Sequence, residues 1–177
     1  EAIIVLPRDM FYTTDISVTL WIVNMNKKAG TVNGRQLRDR THEVLFMDLR
    51  RWDENIEEIV IDKGKKKKKT VLDDTQIAKI KETYANWQSA DTSQYFNVPE
   101  FCRSVKLYNS DLTEEERQAK VPTIESKGYS LAPSKYIEFI DHDLEIDYEA
   151  EMARIQAEMR DIISAEKKSQ TMLEDAF

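Results

Sequence analysis

The sequence predicts an α/β chain, α+β within this stretch: a three-stranded sheet containing an antiparallel pair, then a mostly helical tail ending in a long coiled-coil-like helix. Three observations predict it. Ala2-Ile3-Ile4-Val5-Leu6 is a continuous apolar run, as in a strand buried on both faces of a parallel sheet. No helical crossover fits between the next two strand-like segments, so those two are expected to pair antiparallel. Met152, Ile155, Met159 and Ile162 recur at 3-4-3 spacing, like the a and d positions of a coiled coil.

The first strand, residues 2–6, is closed by Pro7, which cannot extend a sheet ladder. A strand that opens a chain in this way needs neighbours on both sides, and the sequence lacks an initiator Met; we therefore expect a piece of a larger protein. Residues 8–15 are polar and turn-like around the pair Phe11-Tyr12. A second strand runs from Ile16 to Met25, rich in Val, Ile, Thr and Trp21. The stretch from Asn26 to Asp39 holds Gly30 and Asn33-Gly34 and suits an exposed connection. Glu43 to Leu49 is the third strand. Ile56, Ile59 and Val60 at i, i+3, i+4 then predict a helical turn over Asn55–Ile61.

The run from Gly64 to Lys69 is of low complexity and reads as a solvated loop. Asp73 or Asp74 can cap a helix over Thr75–Gln88, with Ile77, Ile80, Tyr84 and Trp87 on one face. Residues 97–102 read as a loop and 103–109 as a short strand or helix. Thr113–Gln118 reads as a short acidic helix capped at Asp111 or Thr113. Thr123–Lys127 suits a helical turn ended by Gly128, and 129–137 an irregular segment anchored by aromatics. From Asp147 the narrow apolar stripe begins, turns polar at Glu166 and Ser169, and regains Leu173. So narrow a stripe expects a partner helix. The expected boundaries are 1–62 for the sheet, 63–143 for the tail with its lysine-rich loop, and 144–177 for the long helix.

Composition narrows the function classes. Apolar residues make up 41% of 177 and charged residues 33%, which excludes a disordered polyelectrolyte. No run approaches the ~20 apolar residues of a membrane span, and nothing at the start resembles a secretion signal. The single cysteine, Cys102, permits no internal disulfide, and a reducing, cytoplasmic setting is expected. His42 and His142 share no zinc-site spacing. The four glycines form no phosphate-cradling loop.

Several features could carry chemistry. Phe11-Tyr12 follows a buried strand, and ligands of open α/β sheets bind beyond the carboxyl ends of the strands. An aromatic there can stack on a planar ligand, or both rings can simply cover the sheet edge. The block Lys65, Lys66, Lys67, Lys68 and Lys69 could neutralise DNA phosphates or be a solvated linker; the net charge of −7 argues against unaided nucleic-acid binding. Asp141, Asp143, Glu145 and Asp147 alternate as in a calcium loop, but Ile146 and Met152 stand where glycine and glutamate are required. Cys102 has no paired histidine, and no serine-protease-like order or nucleophile elbow occurs. No complete catalytic constellation is present.

The run Ile4-Val5-Leu6-Pro7-Arg8-Asp9-Met10-Phe11-Tyr12-Thr13-Thr14-Asp15-Ile16-Ser17-Val18-Thr19-Leu20-Trp21-Ile22 resembles the methylation subunit of type I restriction-modification systems. In that family a strand ends in Leu-Pro, followed by Phe-Tyr-x-Thr-x-Ile-x-Val-x-Leu-Trp. Val44–Arg50, Leu72–Ile80, Tyr84–Trp87, Val98–Ser104 and Gly128–Ile137 agree in the same order, as does the C-terminal helix. The resemblance implies an N6-adenine DNA methyltransferase using S-adenosylmethionine, with this chain as its C-terminal part, inactive alone. Residues 1–62 would then carry the last three strands of a Rossmann-like methyltransferase sheet. The family's glycine-containing cofactor motif and its Asn-Pro-Pro-Phe would lie upstream; neither occurs in this sequence.

Position by position, Phe11 matches the aromatic that packs on the flipped adenine in related enzymes, with Tyr12 beside it. Met152, Ile155, Met159, Ile162 and Leu173 match the segment that packs against the specificity subunit. The implied partners are that subunit, a second methylation subunit, the restriction subunit and double-stranded DNA. The alternative from the residues alone is a stand-alone, non-enzymatic interaction module that dimerises through its coiled coil.

Overall fold

Two clusters of apolar side chains sit on opposite faces of one sheet, and the alternation along its strands explains both. In the computed structural model, which describes residues 1–60, 66–138, 140 and 148–174, with the side chains of 148–151, 168 and 171–174 left out of account, the chain forms two units, 1–139 and 140–177. In the first unit, β1 (Ala2–Val5), β2 (Thr19–Ile22), β5 (Glu43–Asp48) and β8 (Cys102–Lys106) form a sheet in the order β2-β1-β5-β8. Between them in sequence lie the hairpin strands β3 (Gly30–Val32) with β4 (Arg35–Leu37), and β6 (Ile56–Val60) with β7 (Lys66–Thr70).

β1 pairs parallel with β5 and antiparallel with β2, while β5 pairs antiparallel with β8. Ala2, Ile4, Leu45 and Met47 point to one face, where Trp87 and Phe101 cover them. Ile3 and Phe46 point to the other, under Ile124, Tyr136 and Ile137. A strand covered on both faces reads as an unbroken apolar run, and that is why β1 is legible in the sequence.

One face is closed by α1 (Asp74–Gln88). Asp73 caps it in a reciprocal box: its carboxylate accepts from the Gln76 backbone N–H at 2.8 Å, and the Gln76 side chain accepts from the Asp73 N–H. Trp87 is fully buried, with Ile80 and Tyr84 partly so, as the helical spacing predicted. The other face is closed by the irregular segment 124–137, where Tyr136 stacks on Phe46 with centroids 4.6 Å apart. Gly128, at φ 62°, ends the 3-10 turn Glu125–Lys127 as expected of a left-handed terminator. Thr113 caps the short helix α2 (Glu114–Gln118). The second unit contains α3 (Tyr148–Glu174).

Four expectations change. The second and third predicted strands do not pair with each other. Both flank β1, which takes β2 antiparallel and β5 parallel; the parallel crossover needs length, not a helix, and residues 6–42 supply it through β2 and a hairpin. The sheet has four strands among the described residues, because Cys102–Lys106, from the expected tail, adds β8. The exposed connection contains β3 and β4, joined by Asn33 and Gly34 at φ 50° and 77°, the two-residue turn that such a pair favours.

The fourth change bears most on function. Residues 56–60 are strand β6 rather than a helical turn, and Lys66–Lys69 belong to β7 rather than to a solvated loop. Glu57 lies opposite Lys69 and Glu58 opposite Lys68 in an antiparallel ladder. Five residues are too few to nucleate a helix unaided, whereas β-branched residues and opposite charges across strands favour the pair. Ile61 to Lys65 lie outside the described residues.

Candidate functional site

The parallel pair sets the place of the site. Val5 is in register with Asp48, so β1 and β5 end at one edge of the sheet. Immediately beyond β1 the chain makes a tight turn in which Phe11 and Thr14 form an antiparallel bridge. Asp9 enters it in the left-handed region, at φ 59°, which aspartate tolerates better than most residues. The Leu6 N–H donates to the Val18 carbonyl at 2.8 Å, closing the base of the loop.

The turn presents its rings to solvent. Phe11 is 44% exposed and Tyr12 62%, so neither is packed away against the sheet edge. It is braced by the lysine strand: the Thr70 N–H donates to the Asp9 carbonyl at 3.0 Å, and Lys67 Nζ reaches both the Tyr12 carbonyl at 3.2 Å and the Asp15 carboxylate at 2.5 Å. The Arg8 Nε donates to the Asp15 carbonyl. The hydrogen bond from Lys67 and its charge together hold the Asp15 carboxyl below the usual aspartate range.

At the end of β5, Asp48 is buried and its carboxylate accepts from Arg50 Nη2 at 2.6 Å, from Arg50 Nε, and from the Arg50 backbone N–H. Behind it Trp52 stacks on Phe101 at 4.9 Å, with Lys79 Nζ over both rings. The Trp52–Phe101 stack and the Lys79 contacts join residues distant in sequence, which no local pattern encodes.

The opposite end of the sheet holds a half-buried polar network. Arg38 forks onto Glu43 at 2.7 and 2.9 Å, the Ser104 hydroxyl donates to Glu43 at 2.9 Å, and Trp87 Nε1 donates to Ser104 Oγ at 2.8 Å. Burial pushes the Glu43 carboxyl up, but the bonds and charge of Arg38, with help from Ser104 and Lys106, outweigh it and leave the pKa lowered. The stabilisation from this pair is therefore complete above the ordinary glutamate value of 4.5 and is lost as pH falls through the lower folded value. Chemical denaturation across pH 3 to 7 checks this: Glu43→Gln is expected to flatten the acid limb of the stability curve, and an unchanged limb would contradict the assignment.

Among the described residues, no cluster of three His, Cys, Asp or Glu side chains is placed to hold a metal, and no helix is long and apolar enough to cross a membrane. The carboxylates Asp141, Asp143, Glu145 and Asp147 lie outside the described residues, as does Lys65. Lys66, Lys67, Lys68 and Lys69 stand in β7, and Lys67 and Lys69 are the less exposed of the four. Cys102 is buried among apolar side chains. On α3, Met152, Ile155, Met159 and Ile162 are all exposed, and Leu173 falls among the side chains left out of account.

A mixed sheet with an aromatic turn at the carboxyl edge of its parallel pair is compatible with many ligand-binding α/β proteins; the comparisons narrow the class. The sequence model of the N-6 DNA methylase family matches residues 1–143, and the chain belongs to that family. It is 30% identical over 139 residues to the type I restriction enzyme HindI methylase subunit of Haemophilus influenzae, a match covering 77% of this chain and 23% of the relative. A solved structure, the methyltransferase subunit of a type I restriction-modification system from Streptococcus thermophilus, aligns at 21% identity and a TM-score of 0.42, over 79% of this chain and 20% of that one. The chain thus spans less than a quarter of the length of the curated relative. Membership of a methylase family over the whole of the first unit counts against the stand-alone interaction module.

Proposed function

We propose that this chain is the part of a type I DNA-methylating subunit that receives the target adenine, and that Phe11 stacks on that base once it has left the duplex. The carrying observation is the Phe11–Thr14 turn: two exposed rings, braced on both sides, at the carboxyl edge of the parallel pair. A base buried in a duplex must be extruded before its exocyclic amine can react, and an apolar ring face compensates for the lost stacking. Phe11 is the primary contact and Tyr12 the flanking one.

The reaction is methyl transfer from S-adenosylmethionine to adenine N6, and the methyl donor supplies the electrophilic carbon. The residues present do not fit a site for that donor. The turn after β1 is aromatic rather than glycine-rich, and Asp48, the acid buried at this edge among the described residues, already has its carboxylate occupied by Arg50. On this reading the chain is inactive alone.

In the assembled complex, acting in the cytoplasm, the partners are the specificity subunit, a second methylation subunit and the restriction subunit, together with double-stranded DNA. The exposed stripe Met152, Ile155, Met159 and Ile162 on α3, continued in sequence by Leu173, is the surface we assign to subunit contacts, packed in coiled-coil fashion. The lysines of β7 carry the weaker assignment of DNA-phosphate contacts.

The test is transfer of a labelled methyl group from S-adenosylmethionine to cognate DNA, by the complete assembly and by the 177-residue chain separately. Label in adenine N6 with the assembly, and none with the chain alone, is the expected outcome. Methylation by the chain alone, or label on another base, would refute the reading.

A further inference from the structure

The lysine run is divided by strand alternation, and its two halves face different ways. Residues directly opposite one another in an antiparallel ladder share a face. Lys66 and Lys68 therefore share one face with Val60 and Glu58, and Lys67 and Lys69 share the other with Ile59 and Glu57. The Lys66 side chain is 67% exposed and pairs with Glu58 at 2.9 Å on the hairpin itself. Lys67 is 24% exposed and reaches off the hairpin, to the Tyr12 carbonyl and the Asp15 carboxylate.

We propose that Lys67 is a positioning residue for the Phe11–Tyr12 turn: a clasp between the hairpin β6–β7 and the aromatic loop that fixes the angle at which the two rings meet a base. This rests on the base-stacking reading above for its functional consequence, but the clasp itself rests on contacts. Lys67 takes hold of the turn at the carbonyl of Tyr12 and again three residues on at Asp15, while Thr70, at the end of the same strand, holds Asp9 on the near side of Phe11. The turn is thus gripped before and after its rings. Facing Asp15 from its own loop is Arg8, whose Nε bonds the Asp15 carbonyl rather than its carboxylate, so the carboxylate is left to Lys67. A ring at a loop tip is free to swing unless its backbone is held, and geometry errors of about an ångström at a reacting group can cost on the order of a hundredfold in rate.

For Lys67 the clasp replaces the weaker assignment as a phosphate contact, from which it differs in kind. A lysine that neutralises DNA phosphate alters affinity and its salt dependence, and leaves turnover alone. A clasp alters turnover, and leaves affinity alone.

The experiment compares Lys67→Met, Lys67→Arg and Lys68→Met in the complete methylase assembly. Three quantities are read: hydrogen exchange of the peptide spanning residues 9–16, DNA affinity against salt, and kcat for methyl transfer. In Lys67→Met we expect faster exchange across 9–16 and about a tenfold loss of kcat, with DNA affinity within roughly twofold. Lys67→Arg, which can still bond both oxygens, is expected to restore slow exchange and most of the turnover. Lys68→Met is expected to leave exchange across 9–16 unchanged, since Lys68 lies on the other face of the hairpin from Lys67. Unaltered exchange at 9–16 in Lys67→Met overturns the clasp, whatever becomes of methylation. Equal losses of DNA affinity in Lys67→Met and Lys68→Met, with kcat intact, overturn it in favour of phosphate contacts. If Phe11→Ala leaves methylation unchanged while Lys67→Met still loosens the loop, the clasp stands as a contact and the stacking reading falls.

Discussion

Replacing Phe11 by alanine is expected to lower methyl transfer to cognate DNA roughly ten- to a hundredfold in the assembled methylase, since a base–aromatic stack contributes about 1–3 kcal/mol. The loss should fall on turnover more than on DNA affinity, because phosphate contacts dominate affinity and the ring acts only after the base is extruded. Phe11→Trp keeps a flat apolar face and should retain most of the activity. Assembly of the subunits should be unaffected, since the turn is exposed and makes no contribution to either apolar cluster of the sheet. Steady-state kinetics with gel filtration of the complex provide the check. Unchanged methylation by Phe11→Ala would remove the assigned role.

Truncating Trp87 to alanine is expected to destabilise the first unit by about 3–5 kcal/mol, a large part of the stability of an ordinary domain. Trp87 is fully buried at the end of α1, among Ala2, Ile4, Leu45 and Met47, and the guanidinium groups of Arg38 and Arg40 lie 5.3 and 5.8 Å from its ring. Its indole N–H also bonds Ser104, which in turn bonds Glu43. Removing the ring leaves a cavity on one side of the sheet and takes from the Ser104 oxygen the N–H it accepts from, while its hydroxyl still donates to Glu43. Trp87→Phe keeps most of the apolar area and removes only the N–H; it should cost about 1 kcal/mol. Urea denaturation followed by circular dichroism ranks the two. Equal losses would mean that the hydrogen bond, not the packing, dominates at this position.

The parts of the fold that could be read in the sequence are those whose signal is local and whose environment is uniform. β1 is apolar at successive positions because α1 covers one face and segment 124–137 the other. The face of α1, its cap at Asp73 and the turn ended by Gly128 follow from helical spacing and from backbone preferences of single residues. The hairpin β6–β7 is hidden in the sequence because Ile56, Ile59 and Val60 also fit a helical period over so few residues. The deciding information lay in the partner strand, where Lys68 and Lys69 stand opposite Glu58 and Glu57. A run of lysines looks solvated on its own and becomes a strand only when opposite charges and a β-branched neighbour are brought alongside.

The site divides along the same line. The aromatic pair Phe11-Tyr12 was recognisable from its place after a buried strand and from its resemblance to a methylase motif. The sequence by itself also determined the apolar strand, the long helix with its narrow stripe, and the family resemblance that the match over residues 1–143 bears out. Only the tertiary structure decided that β1 lies between β2 and β5, that β8 completes the sheet, and that Lys67 grips the loop at Tyr12 and Asp15. The physical reason is range. Helix caps, turn residues and burial patterns act within a few positions, whereas the parallel pairing of β1 with β5 joins residues 43 positions apart and the contact of Lys67 with Tyr12 joins residues 55 apart, which no local preference encodes.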